Sequence, residues 1–254
     1  MKDDFYIGWE SQPSPRTRRF MRVVVAGLYV VAIGFALAFA AAQHSIGVSV
    51  FEWGTVKQFS GILKLAPYPH LLVPRPGTQD ASNTFSTYYL VAPFKHGLDR
   101  EKFSSLEGET VSLQGTLIYR GNQTMVEALP DSLKAADQQP ASMKRTETLA
   151  LGHQTLTGEI VDSKCFLGVM NPGQLLPHRA CAIRCISGGI PPVLLVRTAD
   201  GQSHYLLLVS VDGKPVNQEV LNFVAEPVQI TGEVERQGEL LILRADPRTI
   251  IRSK

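Results

Sequence analysis

The sequence predicts a mainly β protein: a single N-terminal transmembrane helix followed by two tandem small β-barrels, the second with a Cys/His-bearing insertion between its first two strands. Three observations lead there. A 20-residue apolar run stands near the N-terminus, short alternating runs broken by glycine and proline fill the remainder, and the chain matches itself at an offset of 117 residues. A length of 254 residues is enough for two small cores. With 44% apolar and 19% charged residues the composition is that of a folded chain. A net charge of +2 supplies no basic face, so no nucleic-acid partner is expected.

Residues 23–42, "VVVAGLYVVAIGFALAFAAA", hold neither a charge nor a proline. As a helix, 20 residues reach roughly 30 Å, the thickness of a bilayer's hydrocarbon core. Lys2, Arg16, Arg18, Arg19 and Arg22 precede the run, whereas the 14 residues after it carry Glu52 as their one charge. Lys and Arg favour the cytoplasmic side. The expectation is therefore a single-pass inner-membrane protein with its N-terminus inside and its bulk in the periplasm or exterior. A cleaved signal peptide competes, because "AFAAAQ" offers small residues at A-x-A spacing. Against it stand a run longer than the usual signal core and a leader carrying Asp3, Asp4 and Glu10. The leader, "DDFYIGWESQPSPRTRR", reads as an interfacial anchor, a docking peptide for a membrane partner, or a disordered tail.

Past the membrane, "VSLQGTL" (111–117) and "VQITGEV" (228–234) alternate apolar and polar residues, as half-buried strands do. They are also repeats of each other. Val111 falls on Val228, Gly115 on Gly232, Gly121 on Gly238, Ala128 on Ala245 and Pro130 on Pro247. Tyr88/Tyr205, Leu90/Leu207 and Glu109/Glu226 extend the match without a gap, which marks two copies of one unit. In the second copy the strands fall at 155–162, 191–198, 204–211, 228–235 and 238–245, with a short helical segment at 215–225 carrying Val216, Val220, Leu221 and Val224. In the first they fall near 58–65, 69–74, 86–93, 110–119 and 123–128, with the helix at 98–106. Five strands with a helix between the third and fourth resemble the OB-fold, a small Greek-key barrel that implies no function by itself. The polar stretch at 128–148 reads as a linker. The expected domains are a tail at 1–22, a span at 23–43, barrels at 44–145 and 146–254, and an insertion at about 163–191.

That insertion is where the copies differ. Gly61 lies 10 residues before Leu71, but Gly158 lies 36 before Leu194. The extra length falls between strands one and two, a loop that OB-folds use for ligands. It contains every cysteine of the chain, Cys165, Cys181 and Cys185, together with His178. Pro177 suits a helix's first turn, and Gly188 and Gly189 suit its end. On that helix His178, Cys181 and Cys185 occupy positions i, i+3 and i+7, one face. "NPG" at 171–173 turns the chain so that Cys165, at the end of strand one, can close over them.

A Cys₃His set is one of the combinations that form tetrahedral metal sites, and its soft sulfurs suit Zn, Cu or Fe over hard cations. Met170 and Asp162 are further candidate ligands. The Cys181-x₃-Cys185 pair with a histidine is similar to the copper-binding motif of Sco-type proteins, in the two cysteines alone; there the histidine lies far downstream on a thioredoxin-like fold, and no role carries over. Two other readings stand beside the metal. Outside the membrane, cysteines commonly form disulfides, which would make the insertion a stapled loop on an interaction protein with one thiol over. Alternatively Arg179, Arg184, Lys164 and a protonated His178 would activate a thiol, giving a thiol–disulfide oxidoreductase that uses Cys181 and Cys185. The leading expectation is a metal-binding accessory protein, or a subunit working with a membrane redox-protein partner. His44, His70, His96, His153 and His204 have no partner at ligand spacing, and Trp53, Tyr68, Phe85, Tyr88 and Tyr89 read as core or interfacial packing.

Overall fold

The computed structural model describes residues 13–44, 48–74, 85–136, 148–198 and 201–253. The expected tail motif up to residue 12 and most of the expected linker, 137–147, lie outside the described residues. Helix α1 (Pro15–His44) starts where the Ser14 hydroxyl accepts the Thr17 N–H and Pro15 occupies its first turn. It begins earlier than the apolar run, so Arg16, Arg18, Arg19 and Arg22 belong to its first turns. Residues 15–42, with a mean hydropathy reaching 2.5, are long and apolar enough for one membrane span, and a signal sequence has the same properties.

The remaining residues, from Val48, form two closed five-strand barrels in tandem. The first has β1 (Ser49–Lys64), β2 (His70–Pro74), β3 (Phe85–Val91), β4 (Thr110–Arg120) and β5 (Gln123–Ala128). Their order is β1-β2-β3-β5-β4, with β4 returning to β1 and β3 parallel to β5. After a turn at Pro130–Ser132, β6 (Lys134–Ala135) adds to β4. The second barrel repeats this with β7 (Thr148–Asp162), then helix α2 (Arg179–Ser187), β8 (Pro192–Arg197), β9 (Ser203–Val209), β10 (Pro227–Gln237) and β11 (Leu240–Ala245). Its turn at Pro247–Thr249 and β12 (Ile251–Arg252) match the turn and β6 of the first, so the repeat runs into the stretch expected to be linker.

The paired glycines have a closure role. A Cβ on Gly115 would lie 2.6 Å from the Glu127 carbonyl oxygen, and one on Gly232 would lie 2.2 Å from that of Arg244. Only a residue without a side chain lets the fourth strand bend this close to the fifth. The match at 117 residues holds for β4 and β5 but slips at the third strand. Tyr88 pairs with Thr124, whereas Leu206, not Tyr205, pairs with Leu241. One more residue separates β3 from β4 than separates β9 from β10, so the Tyr88/Tyr205 and Leu90/Leu207 coincidences are one residue out of register. The two expected helical segments are turns instead, each ending in one 3₁₀ turn, Ser104–Leu106 and Leu221–Phe223. Val216, Val220 and Val224 are nevertheless buried, as their spacing requires.

Each barrel has its own interior. Leu63, Leu71, Leu90, Val111, Leu113 and Val126 fill the first. Ile160, Leu194, Leu208, Val228, Ile230 and Leu243 fill the second, against Ala182 and Ile186 of α2. A third cluster joins the outward faces. Tyr89, Val91, Ile118 and Met125 of the first barrel pack with Phe166, Leu167, Leu207, Val209 and Ile242 of the second. This explains why the third strands are apolar on both faces. Polar contacts fix the same seam: the Tyr68 hydroxyl accepts the Val216 N–H at 3.1 Å, and Gly97 N–H donates to the Gly188 carbonyl at 2.8 Å.

Lys164 is the most demanding group in the seam. Its side chain is 2% exposed, and its ammonium pairs with Glu127 and donates to the carbonyls of Ala92 (2.9 Å) and Phe94 (2.6 Å). All three partners belong to the first barrel. Removing one member of a buried ion pair strands the other, at a cost of about 3–5 kcal/mol. Lys164→Met in the full chain should therefore lower unfolding free energy by about 3 kcal/mol in urea titration, and a Lys164→Met/Glu127→Leu double variant should recover part of it.

Candidate metal centre

Strand β7 ends at Asp162, whose carboxylate starts the insertion. Its Oδ1 accepts the Cys165 N–H at 2.8 Å, the bond by which a short polar side chain caps a helical turn. The chain then makes a π-helical turn, Cys165–Val169, in which Met170 N–H reaches back to the Cys165 carbonyl. Cys165 thus sits in a turn three residues beyond the strand, not at the strand's end. The turn leans on the first barrel, where a Cβ on Gly168 would meet the Val50 carbonyl oxygen at 2.3 Å. The chain returns past Gly173, and Leu175 N–H is accepted by Glu159. Pro177 lies in a 3₁₀ turn, Leu176–His178, immediately before α2.

Helix α2 is held at both ends. Arg179 pairs with Glu226, and the Asn217 side-chain amide donates to the carbonyls of Ile186 (2.8 Å) and Ile190 (2.9 Å). It stops at Gly188 and Gly189, the latter at φ 99°, as the sequence suggested. Ala182 and Ile186 face the second barrel's core, which turns Cys181 and Cys185 toward the seam.

Cys165, His178, Cys181, Cys185 and Asp162 come together in a cluster that could hold a metal ion. Cys165 Sγ lies 3.9 Å from Cys181 Sγ and 3.9 Å from Cys185 Sγ. The Nε2 of His178 lies 2.9 Å from Asp162 Oδ2, and both side chains are buried. All three cysteines are free thiols. Cys165 and Cys185 are buried, while Cys181 is partly exposed. The contact between the first two splits their acidity: with burial, it pushes the Cys165 thiol well up, and it brings Cys185 down.

The sequence places these four donors together, offers Asp162 as a further ligand, and misses one companion. Asp162 is fully buried and holds both Cys165 and His178. Met170 is 45% exposed. The cation beside the sulfurs is Lys95, with Nζ 2.7 Å from Cys181 Sγ and 3.8 Å from Cys185 Sγ. That contact raises the Lys95 pKa. Of the cations expected to activate a thiol, Lys164 is committed to Glu127 and Arg179 to Glu226, and Arg184 is exposed. Lys95 lies 86 residues from Cys181 on the other barrel, so no local pattern could have signalled it.

Among the described residues, none of the other histidines belongs to the clustered donors. His70 is half-buried, its Nδ1 2.8 Å from the Tyr68 carbonyl, and loss of solvent contact lowers its pKa; His153 makes an exposed contact with Glu233. Tyr68 and Tyr89 are seam residues, and Trp53 is exposed against the edge of Phe51. No family model matches the chain, and no curated protein matches it.

Two outcomes follow from this geometry. In reduced, chelator-treated protein, maleimide should modify Cys181 well before Cys165 or Cys185. Trypsin cuts after Lys164, Arg179 and Arg184, so mass spectrometry reads each cysteine on a separate peptide. The second concerns Glu159, whose carboxyl burial pushes above its ordinary 4.5. A carboxyl with a raised folded value favours the folded state below pH 4.5 and loses that contribution as pH rises through the folded value. Glu159→Gln keeps an acceptor for Leu175 N–H and should flatten this part of the pH–stability curve, measured by thermal unfolding across pH 4–8.

Proposed function

We propose that this protein is a membrane-anchored accessory protein whose exterior barrels carry a metal centre ligated by Cys165, His178, Cys181 and Cys185. The observation that carries this reading is the sulfur spacing. Thiolates at ~2.3 Å from a tetrahedral ion stand about 3.8 Å from one another, and Cys165 lies 3.9 Å from each of the other two sulfurs. The histidine supports it. With Nε2 on buried Asp162, Nδ1 is the nitrogen left for an ion, and a carboxylate behind a ligating histidine is the usual means of fixing its orientation. Three sulfurs and an imidazole suit Zn(II), Cu(I) or iron. The basic residues in the first turns of α1 support an orientation with the N-terminus inside and the barrels on the periplasmic or external side. Its role there is metal handling, or structuring a membrane-bound redox complex.

One observation favours a second reading, a thiol–disulfide oxidoreductase. Lys95 beside the partly exposed Cys181 is the kind of cation that activates a thiol. A single experiment separates the two: purify the full chain anaerobically without chelator, determine metal by elemental mass spectrometry, and count thiols on the same sample. The metal reading expects one ion per chain in the wild type and at least a tenfold loss in Cys181→Ser, with the β signal in circular dichroism retained. A metal-free wild type, or unchanged metal in Cys181→Ser, overturns it. A metal-free chain whose Cys181 forms trapped mixed disulfides supports the second reading.

A further inference from the structure

The donor set lies wholly on the second barrel, yet the group nearest to two of its sulfurs does not. Lys95 comes from the turn after β3, in the first barrel, and its Nζ reaches Cys181 at 2.7 Å and Cys185 at 3.8 Å. We propose that Lys95 is a positioning residue of the metal centre, donating to the two helix-borne thiolates so that the site is complete only when the first barrel is docked. The inference rests on the metal reading above and extends it to a residue outside the ligand set.

Three features of the backbone show that the turn is built to deliver this side chain. Phe94, immediately before Lys95, has φ 61°, the left-handed region that non-glycine residues avoid, and its side chain is 83% exposed. Such a conformation persists where its surroundings impose it. Here the buried ammonium of Lys164 binds the carbonyls on either side of position 93, Ala92 and Phe94. The end of α2 then fits closely on the other side. A Cβ on Gly188 would lie 2.0 Å from the Lys95 carbonyl oxygen, and one on Gly97 would lie 2.4 Å from that of Gly189. The turn is thus clamped between Lys164 and the glycines that end the cysteine-bearing helix.

The second barrel supplies an internal control. Its equivalent turn is closed by the same bond, Ser210 N–H to the Lys214 carbonyl, as Ala92 N–H to His96 in the first. At the position of Lys95 it has Gly213, with φ 74°. The closing bond therefore forms without a lysine, although the left-handed residue inside it is Gly213 in the second barrel and Phe94, one position earlier, in the first. Chemically, an N–H donor on a metal-bound thiolate withdraws negative charge from sulfur and holds its orientation, the role outer partners play at metal sites. An ammonium also compensates charge, which three thiolates on a divalent ion leave in excess.

The test is an anaerobic Co(II) titration of the full chain, comparing wild type with Lys95→Met and Lys95→Arg. Visible bands report tetrahedral Co(II), and near-ultraviolet bands report sulfur-to-cobalt charge transfer. Lys95→Met should weaken Co(II) binding about 10–100-fold and displace the charge-transfer band. Lys95→Arg should restore part of both, and thermal unfolding of the metal-free proteins should stay close to wild type. Wild-type affinity and an unchanged band in Lys95→Met overturn the inference while leaving the metal reading intact. Weakened binding that arginine does not rescue, with a lowered melting temperature, assigns Lys95 to barrel docking and also overturns it. A wild-type chain that gives no Co(II) bands overturns the metal reading itself, and this inference with it.

Discussion

The arrangement of the two barrels turns on a buried ammonium. Lys164 leaves the insertion of the second barrel and ends among Glu127, Ala92 and Phe94 of the first. An ammonium withdrawn from water without partners costs several kcal/mol, so a separated pair of barrels would return it to solvent and lose the bonds that compensate its burial. The same contact fixes the turn carrying Lys95, which in turn lies against the end of α2. A lysine two residues beyond the end of a strand thereby decides where the other barrel's lysine stands relative to the cysteines.

Around this contact the repeated fold contributes two kinds of residue. One kind occurs in both copies and serves the barrel itself, as Gly115 and Gly232 do at the tight approach of the fourth strand to the fifth. The other occurs in one copy and serves the seam or the centre: Lys95 where the second barrel has Gly213, and the 163–191 insertion where the first barrel has a short connection. The insertion bridges both bodies. Its first turn packs on the first barrel through Gly168, and its helix covers the core of the second through Ala182 and Ile186. The cysteines consequently lie at the seam, where the thiols of the second barrel meet a side chain of the first.

Much of this was legible in the sequence because it is written locally. Alternation of period two gives the strands, the repeated glycines give the two copies, and Pro177 with Gly188 and Gly189 brackets α2. What failed, failed for physical reasons. An ungapped match cannot register a single extra residue between β3 and β4, yet one residue reverses which side of a strand faces inward. The spacing of Val216, Val220 and Val224 marks buried positions, which turns satisfy as well as a helix does. The four proposed ligands cluster within 21 residues of sequence and were visible, whereas Lys95 acts across 86 residues and leaves no periodic trace. Asp162 lay close by, but only the fold shows that one carboxylate serves both Cys165 and His178.

The electrostatics of the centre distinguish its candidate chemistries. Two unit negative charges about 4 Å apart repel by about 4 kcal/mol at an effective dielectric of ~20, and Cys165 has two sulfurs at 3.9 Å with the carboxylate of Asp162 nearby. A cluster so composed is stable as thiolates only with positive charge in its midst. Lys95 supplies one charge from outside, on the side of Cys181 and Cys185, and leaves Cys165 unserved. A disulfide would relieve the repulsion for two sulfurs by drawing them to ~2.05 Å, but it would leave the third beside a carboxylate and make no use of His178. A metal ion in the proposed centre would draw on the sulfurs and the imidazole together, and it would give Asp162 the task of orienting a ligand. The metal reading is the one in which every buried polar group of the cluster has work that its position fits.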